Sequence, residues 1–303
     1  MEEKRNEEGF IAKHAKAATV IAVVFGATSG ILGSLITAPS MAIGFLRLSI
    51  ALPFFIIPTV INKQKRERLK AVALKDYVLC FISGAFLFAH FFSWFSAVKL
   101  TDIASASVLA ALHPLVVLLV TIFIYRKKVS IKSFLAIFVA LIGGAIIVGA
   151  DYNTFAGGNL EGNIFALMAA VFMGLYFAMG DEVRKRVEST QYVLLVFFAC
   201  WVCFAIGVVL TDTQVVGYKA TDYLLIAAMA VLCQIGAHAV FNMCIGHVSS
   251  LHVSTWEAGD PVFATIMAVV FLQQIPKSYE ILGCAIVVCA LLYYNRQENK
   301  QQG

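Results

Sequence analysis

Glu257 and Asp260 stand three residues apart in an otherwise apolar stretch, so a helix there would carry both carboxylates on one face. Gly259 and Pro261 flank Asp260 and can loosen the backbone beside it. Two carboxylates in a low-dielectric setting cannot both ionise cheaply, so one is expected to keep a proton and be able to exchange it. A cationic group on a solute could compete for the same negative charge. The alternative is structural: one of the pair caps a helix end or bridges to Arg47.

Three histidines extend this chemistry. His113 precedes Pro114 as Asp260 precedes Pro261, and His90 and His238 each follow an alanine at matching places in the chain. Histidine titrates in the range that proton exchange needs, although one in an apolar segment can equally serve as an interhelical hydrogen-bond partner. Trp94 and Asn242 come four residues after His90 and His238, and Trp256 comes four before Asp260, so helical spacing puts them on the same faces. Aromatic faces beside carboxylates suit an organic cation, or they pack at an interface. Arg47 could bind a solute carboxylate or snorkel outward, and the expectation here is an internal ion pair.

These groups must be held by helices in lipid. Of 303 residues, 60% are hydrophobic and 14% charged, far from the balance of a water-soluble domain. Apolar stretches fall at 17–36, 41–61, 76–98, 103–125, 131–150, 160–180, 191–210, 222–245, 250–274 and 279–295. Each is near the length of about 20 residues that crosses the hydrocarbon core, which predicts ten transmembrane helices and no soluble domain.

The net charge of +5 does not imply nucleic acid, because Lys and Arg sit in short runs between apolar segments. With a cytoplasmic N-terminus, 19 of them fall inside and three (Lys99, Lys219, Lys277) outside. That bias predicts both termini in the cytoplasm, a tail at 1–16, another at 296–303, no cleaved signal peptide, and residence in the plasma (inner) membrane as monomer or homodimer. All seven cysteines lie in apolar runs, and Cys200 with Cys203 has no second pair, so no metal site and no cofactor are expected.

The chain also resembles itself. Asp76-Tyr77 recurs as Asp222-Tyr223, Ala89-His90 as Ala237-His238, and His113-Pro114 as Asp260-Pro261, at separations of 146, 148 and 147 residues. A duplication of five spans, 17–150 and 151–295, follows. Because five is odd, the second copy enters the membrane from the opposite side, an inverted repeat suited to alternating access.

The order of these elements resembles the EamA-type branch of the drug/metabolite transporters over nearly the whole chain. Phe45-Leu46-Arg47, Leu112-His113-Pro114-Leu115 and Gly259-Asp260-Pro261-Val262 carry the resemblance, which implies a central cavity lined by both repeats. Where that branch usually closes its fourth and ninth spans with glutamate, this sequence has Tyr125-Arg126 and Gln273-Gln274.

The expected function is secondary active transport of a small organic metabolite, cationic or zwitterionic, such as an amino acid, amine or drug-like compound, with protons as coupling ion. An intramembrane enzyme would need a second acid such as Asp181, which sits beside Glu182 and Arg184 at a span end, and no catalytic or membrane-protease motif appears. A non-transporting receptor would ordinarily carry a larger loop. No phosphate-cradling loop is present for ATP-driven transport.

Overall fold

The computed structural model describes residues 11, 13–101, 103–147, 160–263, 265–266 and 277–302, and its described elements are helical. Eight helical segments among them are long and apolar enough to cross a bilayer: Ala15–Leu35, Ser40–Ile61, Leu74–Leu100, Ala106–Ile124, Leu160–Val183, Ser189–Leu210, Ala220–Cys244 and Ser278–Gln297. They occupy eight of the ten expected stretches. The fifth stretch forms the shorter apolar helix Ile131–Ile147. The ninth is described over Ser250–Glu257 and on from Asp260 to 263 and 265–266, and Gln273-Gln274 lie outside the described residues. So do the repeat boundary at 150 and 151 and most of the N-terminal tail. The last helix runs from Ser278 through Gln302, into the expected C-terminal tail.

In lipid the apolar surface faces outward, since the solvent there is hydrocarbon. Phe54, Leu135, Leu167, Val209, Leu224 and Ile281 are all exposed around the bundle. Polar side chains turn inward instead: Ser83 bonds Tyr192 at 2.8 Å, and the Tyr176 hydroxyl donates to Asn242 Oδ1 at 2.6 Å. Small residues bring helices close where that inward packing is tightest. A Cβ on Gly84 would stand 2.5 Å from Ala199 Cβ and 2.6 Å from the Val196 carbonyl, so the third and seventh spans touch backbone to backbone. Gly84→Val should therefore destabilise the protein by roughly 1–3 kcal/mol through overpacking. A melting curve in detergent unchanged by that substitution would contradict the close approach.

Numbered by the ten stretches, the helices pack in a pattern that survives exchange of the two halves. Spans two and seven, four and nine, and five and ten are neighbours across the repeat. The pairs three–six, three–seven and four–six recur as eight–one, eight–two and nine–one.

Repeat-equivalent aspartates mark the same relation at the helix ends. Asp76, starting the third span, accepts from Arg186 Nε at 2.9 Å in the corner between spans six and seven. Hydrogen bonds to Asp76 and Glu182 hold the Arg186 guanidinium above its ordinary pKa. Asp222, starting the eighth span, accepts from the Thr37 N–H at 2.9 Å and its hydroxyl at 2.6 Å, in the corner between spans one and two. Lys99, at the far end of the third span, donates to the Ile36 carbonyl at 3.2 Å in that same corner. With a rise of about 1.5 Å per residue, the helix carries Lys99 roughly 35 Å from Asp76, so the two aspartate grips sit at opposite ends of the bundle.

Candidate functional site

Proline breaks two spans in the middle. Pro261 has no N–H to return to the Glu257 carbonyl, and the helix Ser250–Glu257 stops in a turn at Ala258-Gly259 before Asp260 restarts it. In the fourth span, Ile103–Ala110 and His113–Leu119 are separated by a turn at Ala111-Leu112, with Pro114 in the first turn of the second piece. The interruptions are repeat equivalents, 147 residues apart, and the two broken spans pack on each other. Broken helices of this kind carry the solute sites of many transporters, because their half-helix ends present unpaired backbone groups at membrane depth.

A cavity of about 120 Å³ lies at this crossing. His90, Trp94, His113, His238, Glu257 and Asp260 all line it, so six of the nine residues singled out from sequence are brought together. Both members of two repeat pairs are among them: His90 with His238, whose ring centroids are 6.2 Å apart, and His113 with Asp260. Ser29, Phe91, Ser107 and Cys233 also face it and were not anticipated.

His113 ties the broken spans. Its Nδ1 is 3.0 Å from the Ala110 carbonyl, and its Nε2 is 3.2 Å from both the Ser254 carbonyl and Glu257 Oε2. Acceptors face both ring nitrogens. A ring donating from both nitrogens satisfies the two carbonyls, with the Glu257 carboxylate beside it. The contact is an ion-pair approach and not an aligned hydrogen bond, since Glu257 Oε2 has no hydrogen-bond partner. Asp260 Oδ1 is likewise buried without one, near Gly26 of the first span, where a Cβ would stand 3.7 Å from it. His90 Nδ1 bonds the Ala169 carbonyl at 2.9 Å, and Trp94 Nε1 donates to Ser29 at 3.2 Å.

Three expected residues stand elsewhere. Asn242 is fully buried but bonds Tyr176 instead of lining the cavity. The eighth span is π-helical from Ala230 to Ala239 before turning α-helical at Val240, so the four-residue spacing from His238 to Asn242 does not keep one face. The same spacing holds from His90 to Trp94, inside the unbroken helix Leu74–Leu100. Trp256 packs against the core, because the turn at Ala258-Gly259 comes between it and Asp260.

Arg47 makes no ion pair among the described residues, which corrects the expectation. Its guanidinium is fully buried with all three nitrogens lacking hydrogen-bond partners, and it lies 4.3 Å from the centre of the Phe91 ring. The cause is placement: the second span packs against spans three, seven and eight, whereas the carboxylates ride on the ninth.

The first repeat's share of the cavity lining lies toward one end of the bundle. The walls on spans one, three and four come from Gly26–Ile31, His90–Trp94 and Ile103–His113, the parts nearest the corner that holds Thr37 and Lys99. Toward the other end, Phe177 and Phe241 close beneath His113 and His238, with ring centroids 6.1 and 6.0 Å away. Below them Arg184 donates to the carbonyls of Ile245 at 2.9 Å and Val187 at 2.5 Å and to the Ser189 hydroxyl. Lys127 pairs with Asp181 at 2.6 Å and Arg68 with Glu188 at 2.8 Å. Tyr125 donates to the Ala178 carbonyl at 2.8 Å.

Known proteins agree with this architecture. A crystal structure aligns with a TM-score of 0.75 over 96% of this chain and 99% of that one, at 19% identity, which shows a shared fold. An uncharacterized transporter of Clostridium kluyveri is 24% identical over 255 residues, covering 81% of this chain and 80% of its own. The uncharacterized transporter YxxF of Bacillus subtilis is 21% identical over 281 residues, covering 90% and 86%. The model of the EamA-like transporter family matches twice, at residues 16–149 and 160–296, so the chain belongs to that family and is a multi-pass membrane transporter built from two repeats.

Proposed function

We propose that the protein is a proton-coupled secondary transporter of a small cationic or zwitterionic metabolite, working by alternating access in the plasma membrane. Ten spans as two inverted five-helix repeats, with both termini cytoplasmic, form the framework of this reading. The observation that carries it is the meeting of repeat-equivalent residues, His90 with His238 and His113 with Asp260, around one cavity. A site on a pseudo-twofold axis is reached from either side by exchanging the conformations of the two copies. The grips of Asp76 and Asp222 at opposite ends of the bundle support the inversion.

Two carboxylates in the cavity supply the charge for a cation, and the His113–Glu257 contact supplies a place where one proton can be held or released. On this reading the solute enters while that proton is exchanged, and the layer of Phe177, Phe241 and Arg184 opens when the other end closes. On this reading the positively charged loops lie in the cytoplasm beside Arg184, which supports an outward-facing conformation.

A melting-temperature screen of purified protein against amines, amino acids, nucleosides and quaternary ammonium compounds tests the reading. A ligand present at 100 times its dissociation constant stabilises by about 2.7 kcal/mol. We expect at least one cationic or zwitterionic compound to raise the melting temperature, and a proton gradient to drive its uptake into proteoliposomes. Hits confined to neutral or anionic compounds, or uptake indifferent to a protonophore, would overturn it.

A further inference from the structure

A second polar recess lies at the closed end, apart from the central cavity. This cleft of about 240 Å³ opens where the end of the fourth span meets the starts of the fifth and ninth and the end of the tenth. Thr121, Lys127, Lys128, Ser133, Asp181 and Tyr294 are in its lining, and none of them lines the central cavity.

The charges in the cleft do not cancel. Asp181 accepts from Lys127 at 2.6 Å with Oδ2 and from the Ser250 N–H at 3.4 Å with Oδ1. Lys128 is exposed and has no ion-pair partner among the described residues. The stretch 126–132 carries Arg126, Lys127, Lys128 and Lys132 and no acid. The helix Ser250–Glu257 begins at the same place and adds its positive end.

Two hydroxyls in the cleft are unbonded as well. Ser133 and Thr121 are only 3% and 9% exposed, yet neither hydroxyl has a hydrogen-bond partner among the described residues. Elsewhere in the bundle Thr19, Ser49 and Thr59 donate theirs to the carbonyl four residues back. Buried hydroxyls that leave this option unused, beside an uncompensated ammonium, fit an acceptor that comes from outside the chain.

An apolar groove of about 460 Å³ starts from the same helix ends. It runs between spans five and ten, past Leu135, Ala136 and Val139 on one side and Ala285, Cys289 and Tyr293 on the other. Ala136 lies one helical turn beyond Ser133, and Tyr293 adjoins Tyr294, so groove and cleft meet. Between 285 and 293 the helix rises about 12 Å, most of one leaflet's roughly 15 Å of hydrocarbon. A free phosphate would answer Lys128 and the hydroxyls but leave the groove vacant. A neutral lipid would fill the groove and leave Lys128 unanswered. A molecule with an anionic headgroup and an acyl chain does both, and basic recesses between spans recognise such headgroups.

We infer that the cleft and the groove together hold one anionic phospholipid, with its headgroup against Lys128, Thr121 and Ser133 and an acyl chain between spans five and ten.

Native mass spectrometry of the full chain tests this, with phosphatidylglycerol and phosphatidylcholine of matched acyl chains supplied at equal concentration in detergent. We expect the wild type to retain at least fivefold more phosphatidylglycerol, and Lys128→Glu to bring the ratio close to one. Lys63→Glu makes the same change of charge at an exposed position in the other basic segment of that end, and should leave the preference intact. Ala285→Trp, which fills the groove from an exposed position, should lower phosphatidylglycerol retention at least fivefold. Equal retention of the two lipids by the wild type would overturn the site, whatever the variants do. So would an equal loss of preference in Lys63→Glu and Lys128→Glu, which would assign it to the general charge of the loops. Glycerol phosphate displacing the lipid at equal concentration would reduce the site to an anion cleft and overturn the lipid.

Discussion

Asp260→Asn should lower proteoliposome uptake of any bound cargo by 100-fold or more while the protein still purifies as a monodisperse species. The carboxylate lines the cavity, has an oxygen with no partner, and begins the second piece of a broken helix, so its charge contributes little to holding the fold. Asparagine keeps the shape and loses the charge. A hydrogen bond to a charged group is worth roughly 1.5–3 kcal/mol, and loss of proton exchange adds to that in a coupled cycle. Glu257→Gln should also abolish net uptake, yet through the His113 contact, so its effect should weaken for exchange that needs no net proton movement. Wild-type rates in both variants would remove the ninth span from the mechanism.

Arg184→Met is expected to destabilise more than any other single change at the closed end. Its guanidinium satisfies buried carbonyls at Val187 and Ile245 and the Ser189 hydroxyl, and Gly246, at φ +113°, lets the backbone pass within reach of it. Methionine fills part of the volume and bonds none of these acceptors. Each buried acceptor left unmet costs about 1–3 kcal/mol, so a total above 3 kcal/mol and a fall of roughly 10 °C in melting temperature follow. A shift below 2 °C would mean that water replaces the guanidinium at no cost and that this corner is not the seal.

Much of the fold was legible because lipid imposes a simple rule: a crossing needs an apolar run of fixed length. Four of the cavity residues, His90, His238, His113 and Asp260, were legible for a second reason, since the duplication writes their positions twice. What the sequence concealed lies where the backbone leaves the α-helical period. The π-helical turns of Ala230–Ala239 move Cys233 onto the cavity wall and Asn242 off it, and no residue type announces them. The turn before Asp260 does the same to Trp256. Arg47 was misjudged for a different reason, because ion-pair formation depends on which spans adjoin, and a single sequence carries no adjacency.

The two aspartate grips bear on which parts travel as a unit. Asp76 fastens the first copy's longest helix to a corner of the second copy, and Asp222 fastens a helix of the second copy to a corner of the first. In the alternating-access cycle proposed above, two grips that hold together in one conformation serve as pivots and not as latches. The swinging pieces of that proposed cycle are then mosaics, each assembled from both ancestral copies, and neither copy alone would possess its own fulcrum.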